Sequence, residues 1–115
     1  METWIIEYLP EARREYLRLD GSIQKQVAKM LRRVSTNPES ESAGGYGKPL
    51  GNKLGRNLTG VYKIKLRSSG LRVLYVLQKV RGKMTIVIVG ARADAEVYRE
   101  AAKRLKNHPE LRHNN

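Results

Sequence analysis

Three strand-length runs, joined by turns of only a few residues, occupy the stretch from Val61 to Val89 of this 115-residue chain. In the first run, YKIKLR, apolar and cationic side chains alternate with the period of two that is typical of a half-buried β-strand. Gly70 lies in the turn that follows, and Gly82 precedes the third run. Connections this short join antiparallel neighbours, so the stretch predicts a β-meander.

The segments on either side of the meander predict a strand and several helices. A strand precedes Pro10, a helical hairpin follows with Ser22 as the N-cap of its second helix, and a last helix runs to Lys106. We therefore expect an α+β fold: an N-terminal strand and an antiparallel helical hairpin packed on an antiparallel sheet of about four strands, with a C-terminal helix. The helices are expected on one face of the sheet, which leaves the opposite face partly open.

The predicted organisation is a single domain with one long connection. Residues 1–106 are expected to form the domain, and residues 107–115 a polar, loose tail. Residues 37–60 are rich in Gly, Ser, Asn and Pro without a sustained period, so they predict one long loop. A loop of this length is more often functional or mobile than idle.

Charge and composition limit the partners and the chemistry. Lys and Arg number 23 against 11 for Asp and Glu, a net charge of +12 that favours a polyanionic partner such as nucleic acid. No apolar run approaches the roughly 20 residues of a membrane span, and the N-terminus lacks a signal-peptide pattern, so we expect a soluble, cytoplasmic protein. The chain has no cysteine, which excludes disulfides, zinc-thiolate sites and thiol nucleophiles. No metal or cofactor is expected.

Cations recur on the open face of the predicted sheet. Lys63 and Lys65 lie two residues apart on one strand, and Arg72 follows the hairpin turn with the same parity. Solvation alone explains most exposed cations, and Tyr98 fits a core position with a wet hydroxyl equally well. Neighbouring like charges nevertheless destabilise a sheet by about a few tenths of a kcal/mol each. Their convergence without interleaved acids predicts a phosphate site, in which backbone contact dominates over base stacking.

Two segments resemble a known family. NKLGRNLTGVYKIKLRSSGLRVLYVL and VGARADAEVYREAAKRL resemble the RelE-type toxins, of the RelE/ParE superfamily, of bacterial type II toxin-antitoxin systems. The similarity covers residues 52–105 closely and residues 1–36 in architecture only. It implies a ribosome-dependent, metal-independent endoribonuclease that cleaves mRNA in the ribosomal A site and inhibits translation. The 2′-hydroxyl attacks the adjacent phosphate, which leaves a 2′,3′-cyclic phosphate and a 5′-hydroxyl. Loop 37–51 is longer than in the relatives.

The resemblance also implies roles for individual residues. Its catalytic set falls on Lys63, Lys65, Arg72, Arg92 and Tyr98, and its RNA-binding set on Lys53, Arg56 and Arg67. Crowding among like charges disfavours the charged form of Lys65, which is expected to be the general base. Lys63 and Arg72 would stabilise the phosphorane, and Tyr98 would orient the ribose or stack on a base. Arg92 is the family's general acid, but a purely electrostatic role is as plausible because guanidinium rarely gives up its proton.

The implied partners are the ribosome with its mRNA, 16S ribosomal RNA and an acidic RelB-type antitoxin that folds on binding. Operator DNA would be contacted only through the antitoxin complex, and no membrane is involved. Two alternatives stay open: a ParE-like toxin that inhibits DNA gyrase, and a non-catalytic module that binds ribosomal RNA. ParE-like toxins generally lack the catalytic cations, so the presence of the whole set favours the nuclease.

Overall fold

A computed structural model of the chain describes residues 3–113. The strands and helices are β1 (Ile5–Tyr8), α1 (Pro10–Leu17), α2 (Gly21–Val34), β2 (Lys48–Lys53), β3 (Arg56–Leu66), β4 (Leu71–Gln78), β5 (Lys83–Gly90), α3 (Asp94–Asn107) and α4 (Glu110–His113). Short 3-10 turns lie at Glu41–Ala43 and Lys79–Arg81. The expected α+β class is confirmed.

The strands form one five-stranded sheet in the order β1-β5-β4-β3-β2. The predicted meander is confirmed as β3, β4 and β5, which pair antiparallel, as β2 also does with β3. β1 is the exception. It lies at the edge of the sheet and pairs parallel with β5, from which the helical hairpin and the other three strands separate it in sequence. The sheet has five strands and not about four because a segment predicted as loop supplies β2.

The predicted loop of residues 37–60 is therefore wrong in its second half. β2 and the first residues of β3 form a hairpin in which Lys53 is opposite Arg56. The two turn residues, Leu54 and Gly55, have φ values of 53° and 78°, which is the left-handed pair of a tight β-hairpin. Leu50 and Leu58 are buried, so these two leucines and the strand pairing hold the hairpin in place. Its many glycines and asparagines hide the period of two in the sequence.

The first half of that segment, residues 37–47, is a turn packed against the sheet. Tyr62 and Tyr75 stack at 5.3 Å between ring centroids, and the Tyr75 hydroxyl donates to the Pro38 carbonyl at 2.8 Å. Gly47 lies directly on this pair: a Cβ there would meet Tyr75 Oη and would lie 2.9 Å from Tyr62 Cδ2. Only glycine lets the backbone approach the two rings so closely.

Helices lie on both faces of the sheet, so the expectation that they all pack on one face is wrong, although the other face is left partly open as expected. On the face that includes Leu66, α2 contributes Met30 to a shared cleft. On the other face, a Cβ at Gly90 would lie 3.9 Å from Val97 of α3. The sequence of β4 and β5 is nearly continuously apolar, which is the pattern of strands buried on both sides. The second face stays open only toward β2 and β3.

Two element ends also differ from the prediction. α2 begins at Gly21 with Asp20 as its N-cap residue, and the Ser22 hydroxyl donates to the Asp20 carboxylate at 3.0 Å instead of capping the helix. The tail contains α4, whose Leu111 is buried and whose neighbour Arg112 donates to the Asn57 carbonyl at 2.9 Å. The end of the chain is therefore docked on the domain by a buried leucine and a hydrogen bond, and it is not wholly a loose tail.

Candidate nuclease site

Strand register brings the predicted cations together. Lys65 lies directly opposite Arg72, and Arg72 in turn lies opposite Gly90. Lys63 lies two residues before Lys65 on β3 and therefore shares this face. All three side chains therefore project to the face that α3 covers in part.

An acid that the sequence analysis missed lies among these cations. Asp94, the first residue of α3, accepts hydrogen bonds from Arg72 Nε and from Lys63 Nζ, the latter at 3.5 Å. Burial raises the pKa of the Asp94 carboxyl, but the hydrogen bond from Arg72 and the positive charge of Lys63 outweigh it and hold that pKa below its ordinary value. The expectation of a site without interleaved acids is wrong.

Arg72 is held in place by three separate contacts. Besides Nε on Asp94, its Nη1 donates to the Gly70 carbonyl at 3.1 Å and to the Arg92 carbonyl at 2.8 Å. The guanidinium thus ties the β3–β4 turn to the segment that joins β5 to α3. Among the described residues its Nη2 has no hydrogen-bond partner, and the Arg72 side chain is 15% exposed and lines neither of the clefts described below.

Tyr98 closes the α3 side of the site. Its hydroxyl accepts a hydrogen bond from Lys63 Nζ at 2.9 Å, and the same ammonium lies 5.5 Å from the centre of the tyrosine ring. The side chain is only 4% exposed. The ring of Tyr98 is therefore in the core while its hydroxyl contacts Lys63, and the predicted role of Tyr98 toward the ribose or a base stays a prediction.

Two adjacent clefts share Lys48 and Lys63. The strand-edge cleft, of about 530 Å³, is lined by Glu41, Tyr46, Lys48, Lys63, Ile64, Lys65 and Arg67. The helix cleft, of about 380 Å³, is lined by Lys48, Leu50, Asn52, Lys53, Leu54, Lys63, Asp94 and Tyr98. Lys48 belongs to both because it lies opposite Lys63 in the β2–β3 pair. It was missed because its strand was predicted to be loop.

The RNA-binding predictions divide between these places. Arg67 lines the strand-edge cleft and Lys53 the helix cleft. Arg56 lines neither; it is the first residue of β3, directly after the hairpin turn, and its Nη1 donates to the Leu54 carbonyl at 3.3 Å. The roles of all three in RNA binding stay predictions.

Lys65 and Arg92 are the unrestrained members of the set. Both side chains are exposed, and neither has an ion-pair or hydrogen-bond partner within the described part of the chain. A Cβ at Gly90 would lie 4.0 Å from Arg92 Nε, so this guanidinium lies over the strand end that faces Arg72. The site therefore has a restrained half (Lys63, Arg72, Tyr98 and Asp94) and an unrestrained half (Lys65 and Arg92).

A partly buried ion pair joins α3, the helix that carries Asp94 and Tyr98, to α1. Arg104 of α3 donates Nη1 and Nη2 to the two oxygens of Glu15 at 2.8 Å each, and Nη1 also donates to the Val87 carbonyl at 2.9 Å. Val87 is the extra residue of a β-bulge, where Leu74 pairs with Ile88 but Tyr75 pairs with Ile86. The guanidinium thus satisfies a carbonyl of the bulge while it joins α1, β5 and α3.

Residues 3–113 contain no group of three or more His, Cys, Asp or Glu side chains arranged to hold a metal ion. No helix in the same range is long and apolar enough to cross a membrane. His108 follows the last residue of α3, about 15 Å along the helix from Tyr98 at 1.5 Å per residue. The polar side chains that the structure brings together in the site are those of lysine, arginine, tyrosine and Asp94.

The fold and the clefts define a class: small α+β domains with a cationic sheet face partly covered by a C-terminal helix. A RelE-like toxin protein of Escherichia coli is 35% identical over 101 residues, which span 88% of this chain and 96% of that protein. The mRNA interferase toxin RelE of Escherichia coli is 33% identical over 102 residues, 89% of this chain and 97% of RelE. No protein-family model matches the chain.

Solved structures agree with these relatives. A doubly substituted variant of the Escherichia coli toxin RelE in the free state matches with a TM-score of 0.72 at 30% identity, over 90% of this chain and 99% of that one. The same variant in complex with a peptide of the antitoxin RelB matches with a TM-score of 0.66, over 90% of this chain and 98% of that one. This chain belongs to the RelE toxin family.

Proposed function

We propose that this chain is a ribosome-dependent, metal-independent endoribonuclease, which cleaves mRNA in the ribosomal A site and so inhibits translation. The strand-edge cleft is the observation that carries the proposal. Lys48, Lys63, Lys65 and Arg67 line it, with a single acid, Glu41, among its lining residues. Its neighbour, the helix cleft, contains the Lys63–Tyr98 hydrogen bond. Clustered Lys and Arg beside a tyrosine suit a phosphodiester and its ribose.

In the proposed reaction the 2′-oxygen attacks the adjacent phosphorus, and the bond from phosphorus to the 5′-oxygen of the next nucleotide breaks. The proton of the 2′-hydroxyl passes to the amine of Lys65, which must be neutral to accept it. The departing 5′-oxygen takes a proton, and the products are a 2′,3′-cyclic phosphate and a 5′-hydroxyl. Arg92, exposed at the end of β5, is the candidate to donate that proton or to stabilise the departing oxygen by charge alone.

The restrained half of the site supports transition-state stabilisation. Arg72 is oriented by three contacts, and its Nη2 has no hydrogen-bond partner among the described residues. Lys63 is oriented by Tyr98 and Asp94. Donors fixed before the substrate arrives need little reorganisation when charge develops on the phosphorane, and one such donor contributes about 10²–10³ in rate.

The unrestrained half accounts for the proposed need for the ribosome. Lys65 and Arg92 are exposed and have no partner to orient them within residues 3–113. A ribosome that holds the message with the 2′-oxygen in line with the phosphorus would supply that missing positioning. We expect the isolated protein to cleave free RNA slowly.

The proposed partners follow from the same charge and from the relatives. Lys53, Arg56 and Arg67 are placed to contact mRNA or 16S ribosomal RNA, with the salt dependence of phosphate contacts. A RelE relative binds a peptide of the antitoxin RelB. We propose that an acidic RelB-type antitoxin likewise neutralises this chain, and that operator DNA is contacted only through that complex.

The test uses purified ribosomes programmed with a defined message. Wild-type protein should produce 5′ ends at A-site codons, and Arg92→Ala should lower the cleavage rate about 10²-fold or more while ribosome binding persists. Arg99→Ala, which removes an exposed cation from α3 outside the clefts, is the control for lost charge. An absence of codon-positioned ends with wild-type protein, or inhibition of gyrase supercoiling in its place, would refute the proposal.

A further inference from the structure

An exposed tyrosine on the strand-edge cleft has no place in the reaction described above. Tyr46 is 48% exposed and lines this cleft with Lys48, Lys63, Lys65 and Arg67. What distinguishes Tyr46 from the other exposed large side chains, Ile5, Leu17, Leu54 and Val80, is an aromatic ring on a cleft lined by cations. Aromatic side chains beside a positively charged groove are the combination that binds single-stranded nucleic acid.

The backbone under Tyr46 is rigidly held. The Tyr46 amide donates to the Asn37 carbonyl at 3.0 Å, and the Gly47 amide donates to the Glu39 carbonyl at 2.9 Å. The Gly47 carbonyl in turn accepts from the Glu41 amide at 2.8 Å. Gly47 itself is pressed on the two stacked rings beneath it. The side chain of Tyr46 is therefore presented from a fixed turn, which lowers the entropic cost of using it in binding.

The cleft opens beyond the first residue of β2. β2 begins at Lys48, opposite Lys63, so the last residues of β3 extend beyond their partner strand. Glu41 and Tyr46 flank this free edge, and Lys65 and Arg67 lie along it. Aromatic face, carboxylate and cations thus surround one space of about 530 Å³, which suits a nucleotide and not a bare phosphate.

We infer that Tyr46 is the stacking platform of a nucleobase subsite next to the scissile phosphate. Every base has a π-face that can lie on the ring, while Lys65 and Lys63 bind the attached phosphate. Glu41 accepts a hydrogen bond from an exocyclic amino group of the stacked base, so adenine, cytosine and guanine bind in preference to uracil. Tyr46 and Glu41 thereby set the base preference of the cleavage, an inference that rests on the proposed nuclease function.

The first arm of the test measures ribosome-dependent cleavage with Tyr46→Ala and Tyr46→Phe. Tyr46→Ala should lower kcat/KM about tenfold or more and redistribute the mapped 5′ ends, since one base stack is lost. Tyr46→Phe keeps the ring and should stay within about twofold of wild type. Glu41→Gln should narrow the difference between messages that carry cytosine or uracil at the subsite, because an amide both donates and accepts.

The second arm measures binding of a short 2′-O-methyl oligonucleotide, which cannot undergo the attack, by NMR titration at low salt. Tyr46→Ala should weaken this binding about tenfold, and the Tyr46 ring signals of wild-type protein should shift on titration. Loss of affinity in this arm, with no cleavage by wild type in the first, would keep the subsite and refute the nuclease. Cleavage and binding by Tyr46→Ala at wild-type levels would refute the subsite alone. Equal losses in the alanine and phenylalanine variants would refute stacking. If Tyr46→Ala weakens binding of the antitoxin but changes neither cleavage nor oligonucleotide binding, Tyr46 belongs to the antitoxin interface and not to a nucleobase subsite.

Discussion

Replacement of Arg104 by methionine tests whether a partly buried ion pair holds the active-site helix in place. The guanidinium contacts Glu15, Glu100 and the Val87 carbonyl, and its side chain is 9% exposed against 21% for Glu15. Burial opposes the charge of Arg104, but hydrogen bonds and charge from Glu15 and Glu100 raise its pKa above the ordinary value, so the group is a cation at any working pH. Methionine fills similar space without supplying a donor.

The expected loss of stability follows from what remains behind. Glu15 keeps only its hydrogen bond from the Val89 amide, at 3.1 Å, and the Val87 carbonyl loses its partner inside the bulge. Removal of one partner from a buried pair destabilises by about 3–5 kcal/mol, and the partial exposure of Glu15 favours the lower end, about 3 kcal/mol. An unfolding entropy of about 2.1 cal/mol/K per residue gives the 115 residues about 0.24 kcal/mol/K, so Tm should fall by about 12 °C.

Differential scanning calorimetry at constant protein concentration measures this shift. Lys103→Met, one residue earlier on the same helix and exposed, is the matched control and should move Tm by no more than about 2 °C. A fall for Arg104→Met no larger than that of the control would refute the argument that this pair fixes α3. Cleavage measured well below Tm should be reduced as well, because α3 carries Tyr98 and Asp94.

Three further predictions concern the site and its support. Asp94→Asn should make the free energy of unfolding less dependent on pH. Because the pKa of Asp94 is depressed in the folded protein, its carboxylate stabilises wild type fully above the ordinary pKa of 3.8, and this stabilisation should be lost as the pH falls below that value. Gly47→Ala should lower stability by about 1–3 kcal/mol in urea unfolding, whereas Gly21→Ala, with no atom within 4 Å of the added methyl, should not. Lys65→Ala should lower the rate of ribosome-dependent cleavage about 10²-fold or more at saturating enzyme, whereas Lys53→Ala should weaken ribosome binding and flatten its salt dependence. A Lys65→Ala variant with a normal rate would remove Lys65 from the chemistry.

The meander could be predicted because its signals are local. Lys63 and Lys65 share a face by the period of two, and the hairpin register that places Lys65 opposite Arg72 follows from a short turn. The apolar runs of β4 and β5 also contain the information that both faces are covered, since strands open on one side alternate more clearly. That signal was available in the sequence but was outweighed by the alternation in β3.

The rest depends on contacts that are remote in sequence. β2 has little strand propensity of its own, with Pro49, Gly51 and Asn52 among its six residues, and it exists because β3 offers an edge. Lys48 enters the site only through that pairing. Asp94 fits an ordinary acidic first turn of a helix in the sequence, and no local pattern shows that it lies against Arg72.

The division of the site into two halves bears on which cations do chemistry. A cation whose donor atoms already point at protein partners is oriented before the substrate arrives, which suits a fixed positive charge that stabilises the transition state. Lys63 and Arg72 both donate hydrogen bonds to Asp94, and Lys63 also to Tyr98, so they suit the role of fixed charge. Lys65 is exposed without a partner in the described chain, so among the lysines of the predicted set it stays the candidate for the general base. Asp94 thus has a reason to lie among cations, because it orients Lys63 and Arg72, and we predict that the proton transfer of the proposed reaction passes to Lys65.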